Sequence, residues 1–189
     1  VIIVNNTTWN VMNFRKGLVL SLVDKGHKVI VVTPKDKHVS KVLDFGCEHF
    51  NINLDNKGVN PVNDLYLLFQ YLRIFNRLRP DVILAYTAKP NIYGSIAARF
   101  YSIPVINNIS GLGTAFIRGG LLGRILSFLY NISLRKSKCV FFQNNDDKDL
   151  FLKKNLVAKG QVDILPGSGV NLKYFQPSNS DVTNKNQDE

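Results

Sequence analysis

Short runs rich in β-branched residues alternate with longer amphipathic runs along most of this chain, and that alternation restricts it to a parallel sheet wrapped by helices. Residues 1–4, 28–33, 49–54, 81–85, 104–107, 139–142 and 162–165 read as strands. Residues 13–25, 36–45, 61–79, 91–101, 121–136 and 145–155 carry the helical spacing. Seven strands and six helices in that order predict a doubly wound, Rossmann-like, mainly parallel α/β sheet with helices on both faces.

Local punctuation agrees. Gly26 stands one residue past the first helix, where a left-handed cap costs a glycine least. Pro61 opens the third helix, where a missing N–H is harmless, and Pro80 ends it. After Pro177 the chain turns to Ser, Asn, Asp, Gln and Lys, with Val182 as its one aliphatic residue. The reading is one domain over 1–177 and a polar linker or tail over 178–189.

Charge narrows the partners. There are 24 Lys and Arg against 14 Asp and Glu. Setting aside the tail, with its one Lys and three acids, leaves 23 basic and 11 acidic side chains, a surplus of 12. A field of that sign suits an anion: a nucleic acid, a phosphorylated substrate or a membrane surface. Nucleic acid is disfavoured, because the aromatics fall in helical core patterns and no nucleic-acid motif occurs. Cys47 and Cys139 lie 92 residues apart at the start of apolar runs and read as buried free thiols of a reducing compartment. No run reaches the roughly 18 apolar residues of a membrane span, and no signal peptide is visible. A membrane would be met from the side.

Ligands of such folds sit beyond the carboxyl ends of the strands, so the loops there are the candidate site. The first reads Asn5-Asn6-Thr7-Thr8-Trp9-Asn10, then Asn13-Phe14-Arg15. Without a glycine it cannot be a dinucleotide fingerprint, which argues against NAD or FAD. Its amides, hydroxyls, Trp and Arg suit sugar hydroxyls or a phosphate; alternatively Asn10 or Asn13 caps the helix and Trp9 packs on the sheet edge. After the fourth strand comes Thr87-Ala88-Lys89-Pro90-Asn91, where proline predicts an extended Lys89 beside a positive helix end, suited to a diphosphate. A solvated surface lysine is the other reading. The fifth loop, Ser110-Gly111-Leu112-Gly113-Thr114 with Gly119, Gly120 and Gly123, allows close backbone approach to a ligand but matches no P-loop.

Asp147-x-Asp149 has the form of a metal-binding pair, yet carboxylates two apart on a helix diverge, and a helix-capping role is adopted. His27, His38 and His49 have no partner at triad or metal spacing and read as structural.

Together these loops resemble the N-terminal domain of a GT-B glycosyltransferase of family 4, in the bacterial capsular and lipid-linked glycan-assembly branch. The resemblance rests on Trp9 with Asn13-Phe14-Arg15, Thr33-Pro34-Lys35-Asp36, Asn60-Pro61 with Asp64, and Thr87 with Lys89-Pro90-Asn91-Ile92-Tyr93-Gly94. It continues through Gly111-Leu112-Gly113, Phe142-Gln143-Asn144 with Asp147, and Gly167-Ser168-Gly169-Val170. It implies one half of a GT-B fold, and transfer with retention from a nucleotide diphosphate sugar donor, without an obligatory metal or cofactor. The acceptor implied is a polyprenyl-diphosphate-linked sugar in polysaccharide biosynthesis. The half in hand would be the acceptor side, with Asn6, Thr7, Thr8, Trp9, Asn13, Arg15, Thr87, Lys89, Asn91, Ser110, Gly111, Leu112, Gly113 and Thr114 as substrate-binding residues. The histidine that many family members carry after the fifth strand is missing, so no catalytic residue is assigned.

The family's donor-side Glu-x7-Glu pair is also missing, since the only glutamates are Glu48 and Glu189. The expectation is a chain that lacks the C-terminal donor domain and is inactive alone, or else a non-catalytic acceptor-binding, membrane-docking subunit of a split transferase. Arg118, Arg124, Arg135, Lys136 and Lys138, interleaved with Leu121, Ile125 and Phe128, are expected to face an anionic inner membrane, which implies a cytoplasmic, peripheral protein.

Overall fold

The computed structural model describes residues 1–56, 58–111, 116 and 120–169. Seven strands, β1 (Ile2–Val4), β2 (Ile30–Thr33), β3 (Glu48–Asn51), β4 (Ile83–Tyr86), β5 (Val105–Ile109), β6 (Cys139–Phe142) and β7 (Val162–Ile164), form a single sheet. Its order is β3-β2-β1-β4-β5-β6-β7. Every pairing is parallel, and the register sets Val4 beside Val32 and Ala85. Strand order reverses between β1 and β4, so the chain leaves these neighbours in opposite directions and a crevice opens above them.

The pleat explains the two faces. Ile2, Val4, Ile83, Ala85 and Val105 point one way, against Leu67, Tyr71 and Phe75 of α4 (Pro61–Leu78). Full burial of each such side chain contributes roughly 1.5–3 kcal/mol. On the same face, α5 (Ser95–Arg99), α6 (Gly120–Leu134) and α7 (Asn145–Lys153) follow, and Tyr130, Leu134, Phe142 and Phe151 pack in a second cluster. The opposite face of β1 and β2, with Ile3 and Val31, is covered by α1 (Thr8–Phe14), α2 (Lys16–Asp24) and α3 (Val39–Leu43).

Several expected boundaries move. The single helix expected over 13–25 is two, because Thr7 accepts a hydrogen bond from the Asn10 N–H and starts α1 early, and Arg15 breaks the path at φ −126° and ψ 2°. The cap is therefore Thr7, not Asn10 or Asn13. The helix expected over 91–101 begins with a π-turn, Pro90–Gly94, before α5. Arg79 ends α4 in the left-handed region at φ 42°, just before Pro80. Cys47 is buried as expected and its Sγ–H donates to the Val42 carbonyl, whereas Cys139 is only half-buried. The expected linker, 178–189, lies outside the described residues, as do 170–177.

Candidate functional site

Five strand ends contribute to a crevice of about 450 Å³ above the point where strand order reverses. Asn5 follows β1, Thr87 follows β4, Ser110 follows β5, Gln143 follows β6, and Ser168 with Gly169 follow β7. Asn10, Phe14, Arg15 and Tyr86 complete the lining. A second hollow of about 270 Å³, shared through Thr87 and Ser110, adds Ala88, Asn91, Ile109, Gly111 and Tyr130.

Arg15 is the one cation among the described residues lining the crevice. Its guanidinium carbon lies 4.2 Å from the centre of the Tyr86 ring, a cation–π contact, and one terminal N–H donates to the Phe14 carbonyl at 3.3 Å. Its Nε is shut off from solvent with no hydrogen-bond partner among the described residues. Burial lowers its pKa from the usual arginine value, with the nearby Tyr86 working the other way. A guanidinium keeps its proton regardless, so the site holds a partly desolvated positive charge with no carboxylate among the described residues that line it. Burial likewise pushes the Tyr86 phenol up, with Arg15 pulling it back.

The amino end of α1 is not available to a ligand anion. Asp36, from the loop after β2, accepts from the Thr8 N–H at 3.1 Å and the Trp9 N–H at 3.4 Å. The Thr8 hydroxyl is buried between Thr33 Oγ1 at 2.9 Å and the Pro34 carbonyl, to which it donates. Thr8 thus joins the first and second loops and faces no substrate. Asn6 accepts from Asn10 Nδ2, and Asn13 Nδ2 donates to the Trp9 carbonyl. Trp9 does not pack on the sheet edge: 44% exposed, it meets Phe14 edge to face at 5.5 Å.

Lys89 corrects the sequence reading twice. The residue is helical, at φ −64° and ψ −45°, not extended, because the π-turn accommodates Pro90 one step later. Its ammonium is neither solvated nor free for a diphosphate: it lies 2.6 Å from Asp64 Oδ1, with side-chain exposures of 17% and 16%. Tyr93 donates its hydroxyl proton to the other Asp64 oxygen at 2.9 Å, and burial with that bond raises the phenol's pKa. Asp64 sits in the first turn of α4, so the trio fastens that helix to the π-turn.

Asn91 is also structural. Buried, it donates from Nδ2 to the Asn108 carbonyl and accepts from Asn107 Nδ2 at 2.9 Å. Asn107 donates further to Ser95 Oγ and accepts from the Ser137 hydroxyl. This amide network ties the loop after β4 to the strand that carries Ser110. Directly before it, Thr87 occupies the left-handed region at φ 66° without being glycine, a strained position of the kind that collects at functional sites.

Of the expected binding residues, Arg15, Thr87 and Ser110 converge on the main crevice, and Asn91 and Gly111, the latter at φ 154°, line the adjoining hollow. Leu112, Gly113, Thr114 and Arg118 lie outside the described residues. Asn5, Tyr86 and Gln143 also line the crevice but are not among the expected binding residues, although each stands at a strand's carboxyl end. The cap of α7 is Asn144, not Asp147: the Asp147 N–H donates to Asn144 Oδ1 at 2.8 Å, and Asn144 Nδ2 donates to the carboxylate of Asp147 in the first turn. Among the described residues the basic run is divided, for Arg124 is exposed among apolar residues of α6 whereas Arg135, Lys136 and Lys138 all follow that helix, between it and β6. No helix among the described residues is long and apolar enough to cross a membrane.

Comparison with known proteins places this crevice in context. A family model described as "Glycosyl transferase 4-like" matches residues 1–144. The chain is 25% identical over 173 residues to an N,N'-diacetylbacillosaminyl-diphospho-undecaprenol alpha-1,3-N-acetylgalactosaminyltransferase of Campylobacter jejuni, covering 89% of this chain and 46% of that protein. It is 20% identical over 137 residues to a UDP-Gal:alpha-D-GlcNAc-diphosphoundecaprenol alpha-1,3-galactosyltransferase of Escherichia coli, covering 72% and 35%. A crystal structure of a glycosyltransferase from Rickettsia africae shares the fold at a TM-score of 0.64 and 18% identity, over 94% of this chain and 45% of the other. The chain thus spans less than half the length of each of these relatives. With the family model matching through β6 and every strand end that builds the crevice but the last, the chain belongs to the glycosyltransferase 4-like family.

Proposed function

We propose that this chain is the acceptor-binding, N-terminal half of a retaining glycosyltransferase that moves a sugar from a nucleotide diphosphate sugar to a polyprenyl-diphosphate-linked acceptor in polysaccharide or capsule assembly. The observation that carries the reading is Arg15: a partly buried guanidinium, with no carboxylate among the described lining residues, in the crevice where strand order reverses. Its planar fork suits an acceptor diphosphate. Asn5, Asn10, Thr87, Ser110 and Gln143 around it offer the amides and hydroxyls that sugar hydroxyls need. Two relatives whose names specify diphospho-undecaprenol acceptors support the same acceptor class.

In this reading a donor domain, outside this chain, closes over the crevice. The anomeric bond to the donor diphosphate breaks while the acceptor hydroxyl, held by the crevice, bonds to the same face of the sugar and gives its proton to the departing diphosphate oxygen. The residues here contribute positioning and charge stabilisation, without an obligatory metal. The protein works at the cytoplasmic face of an anionic membrane, with Leu121, Ile125 and Phe128 of α6, 75%, 46% and 64% exposed, beside Arg124 as one contact.

Titration calorimetry with a water-soluble, short-chain prenyl-diphosphate sugar tests the assignment. Binding by the 189-residue chain and its loss in Arg15→Gln are expected. Equal binding by the variant, or tighter binding of a free nucleoside diphosphate at the same residue, would overturn the acceptor role. Transfer from a nucleotide sugar by this chain alone would overturn its being half an enzyme.

A further inference from the structure

A hollow of about 250 Å³ lies between α5, the turn into β5 and the turn that follows α6. Its residues precede β5 and β6, whereas those of the crevice follow the strands, so the all-parallel sheet sets the two openings at opposite edges. The five residues of β5 separate them by roughly 16 Å. Two cations, Arg99 and Lys136, line the hollow, and no carboxylate is among the described residues that do. The ion pairs of the described residues, Lys28 with Glu48 and Lys89 with Asp64, include neither cation.

Arg99 gives one terminal N–H to the Ile132 carbonyl of α6. Its Nε is shut off from solvent and has no hydrogen-bond partner among the described residues. A charged donor left so is costly, and calls for a partner that these residues do not supply. Ser95 repeats the pattern: 4% exposed, it accepts from Asn107 Nδ2 at 2.8 Å, and its own hydroxyl proton has no acceptor among the described residues. Ser102, exposed and held in the left-handed region at φ 55°, adds a further hydroxyl. Ser133 and Ser137 donate elsewhere, to the Tyr130 carbonyl and to Asn107 Oδ1, and bring acceptors only.

We propose that this hollow is a second anion site, which takes the phosphate group of a small soluble ligand. The remaining N–H groups of Arg99, the Lys136 ammonium and the Ser95 and Ser102 hydroxyls are donors of the kind a tetrahedral oxyanion gathers. A water at Nε would satisfy one donor and leave both cations without an anion. Capping of α6 accounts for only one N–H of Arg99, since the Leu134 carbonyl is taken by Gln161 Nε2. At roughly 30 Å³ per water, the hollow has room for several waters, and so for a phosphate with a small ester group. An occupant bridges α5, the turn into β5 and the turn after α6, and stabilises the fold from the edge away from the crevice. The site stands apart from the acceptor reading and survives its failure.

Titration with inorganic phosphate at constant ionic strength, followed by the Arg99 Nε–H signal in proton–nitrogen correlation spectra, tests the site. A saturating shift is expected with phosphate and not with chloride. The shift should persist in Arg15→Gln, which removes the crevice cation; its loss there would put the anion in the crevice and overturn the second site. By calorimetry in that Arg15→Gln background, Lys136→Gln, at an exposed position, should weaken phosphate about fivefold. Arg99→Gln should weaken it at least about tenfold. Should Arg99→Gln fail to fold, Lys136→Gln and the Arg99 signal still decide. No shift at millimolar phosphate, an equal shift with chloride, or unaltered affinity in Lys136→Gln would overturn the proposal. Glycerol phosphate tells the sources apart: tighter binding than inorganic phosphate assigns a phosphate ester, and equal or weaker binding the free anion.

Discussion

The loops after β1 and β4 look alike in sequence, each polar and each carrying one cation near the start of a helix, yet the fold uses them in opposite ways. Arg15 lines the crevice over Tyr86, and no carboxylate is among the described residues that line it. Lys89, on the neighbouring strand's loop, is clamped at 2.6 Å to an aspartate 25 residues earlier in the chain. A cation's position in a loop does not decide whether it can serve a ligand. Its nearest carboxylate does, and that carboxylate can come from any distance along the chain.

The largest expected effect is on binding. Arg15→Gln should weaken the soluble prenyl-diphosphate sugar about a hundredfold, since a bidentate charged contact contributes roughly 1.5–3 kcal/mol per hydrogen bond. Lys89→Met, by contrast, should leave binding largely intact and cost stability. Removing one partner of a buried pair costs up to about 3–5 kcal/mol, and the residual exposure here reduces that to about 2 kcal/mol, readable by urea denaturation. If Lys89→Met abolished binding while stability held, the contrast between the loops would fail.

Smaller changes sharpen it. Thr87→Val keeps the β-branch in a left-handed position and loses the hydroxyl, which donates to the Tyr86 carbonyl, and should cost about 1 kcal/mol in thermal melts. Thr87→Asn, a residue that tolerates that conformation, should be neutral or better. The smallest effect concerns His49, whose Nε2 lies 3.0 Å from Thr33 Oγ1. Burial lowers its pKa in the fold, partly offset by its hydrogen bond and by Asp36. The unfolded chain therefore binds the proton more tightly. Stability should decline as pH falls below the ordinary value of 6.5 and level off below the depressed folded value. His49→Gln should remove that shallow slope from melting temperatures measured across the range.

What could be read from the sequence was what short-range periodicity encodes. The β6 run Cys139–Phe142 and the start of α4 at Pro61 fall where expected, because a buried alternating run and a proline at a first turn carry their own physics. The split of the first helix at Arg15 and the π-turn at Pro90 were not legible, since each depends on partners elsewhere: Asp36 for the start of α1, and Asp64 with Asn107 for the π-turn. The same holds at the site. Glycine content singled out the loop whose Gly111 borders the adjoining hollow, but availability separated Arg15 from Lys89, and Thr8 from Thr87 and Ser110.

The network joining Asn91, Asn107, Ser95 and Ser137 contains only amides and hydroxyls. None of these groups changes charge between acid and alkali, and none is screened by salt as an ion pair is. The spacing between the loops after β4 and β5 should therefore hold constant while the grip of Arg15 on a diphosphate rises and falls with ionic strength. An unchanging frame around a tunable charge lets such a protein release its ligand without loosening its architecture.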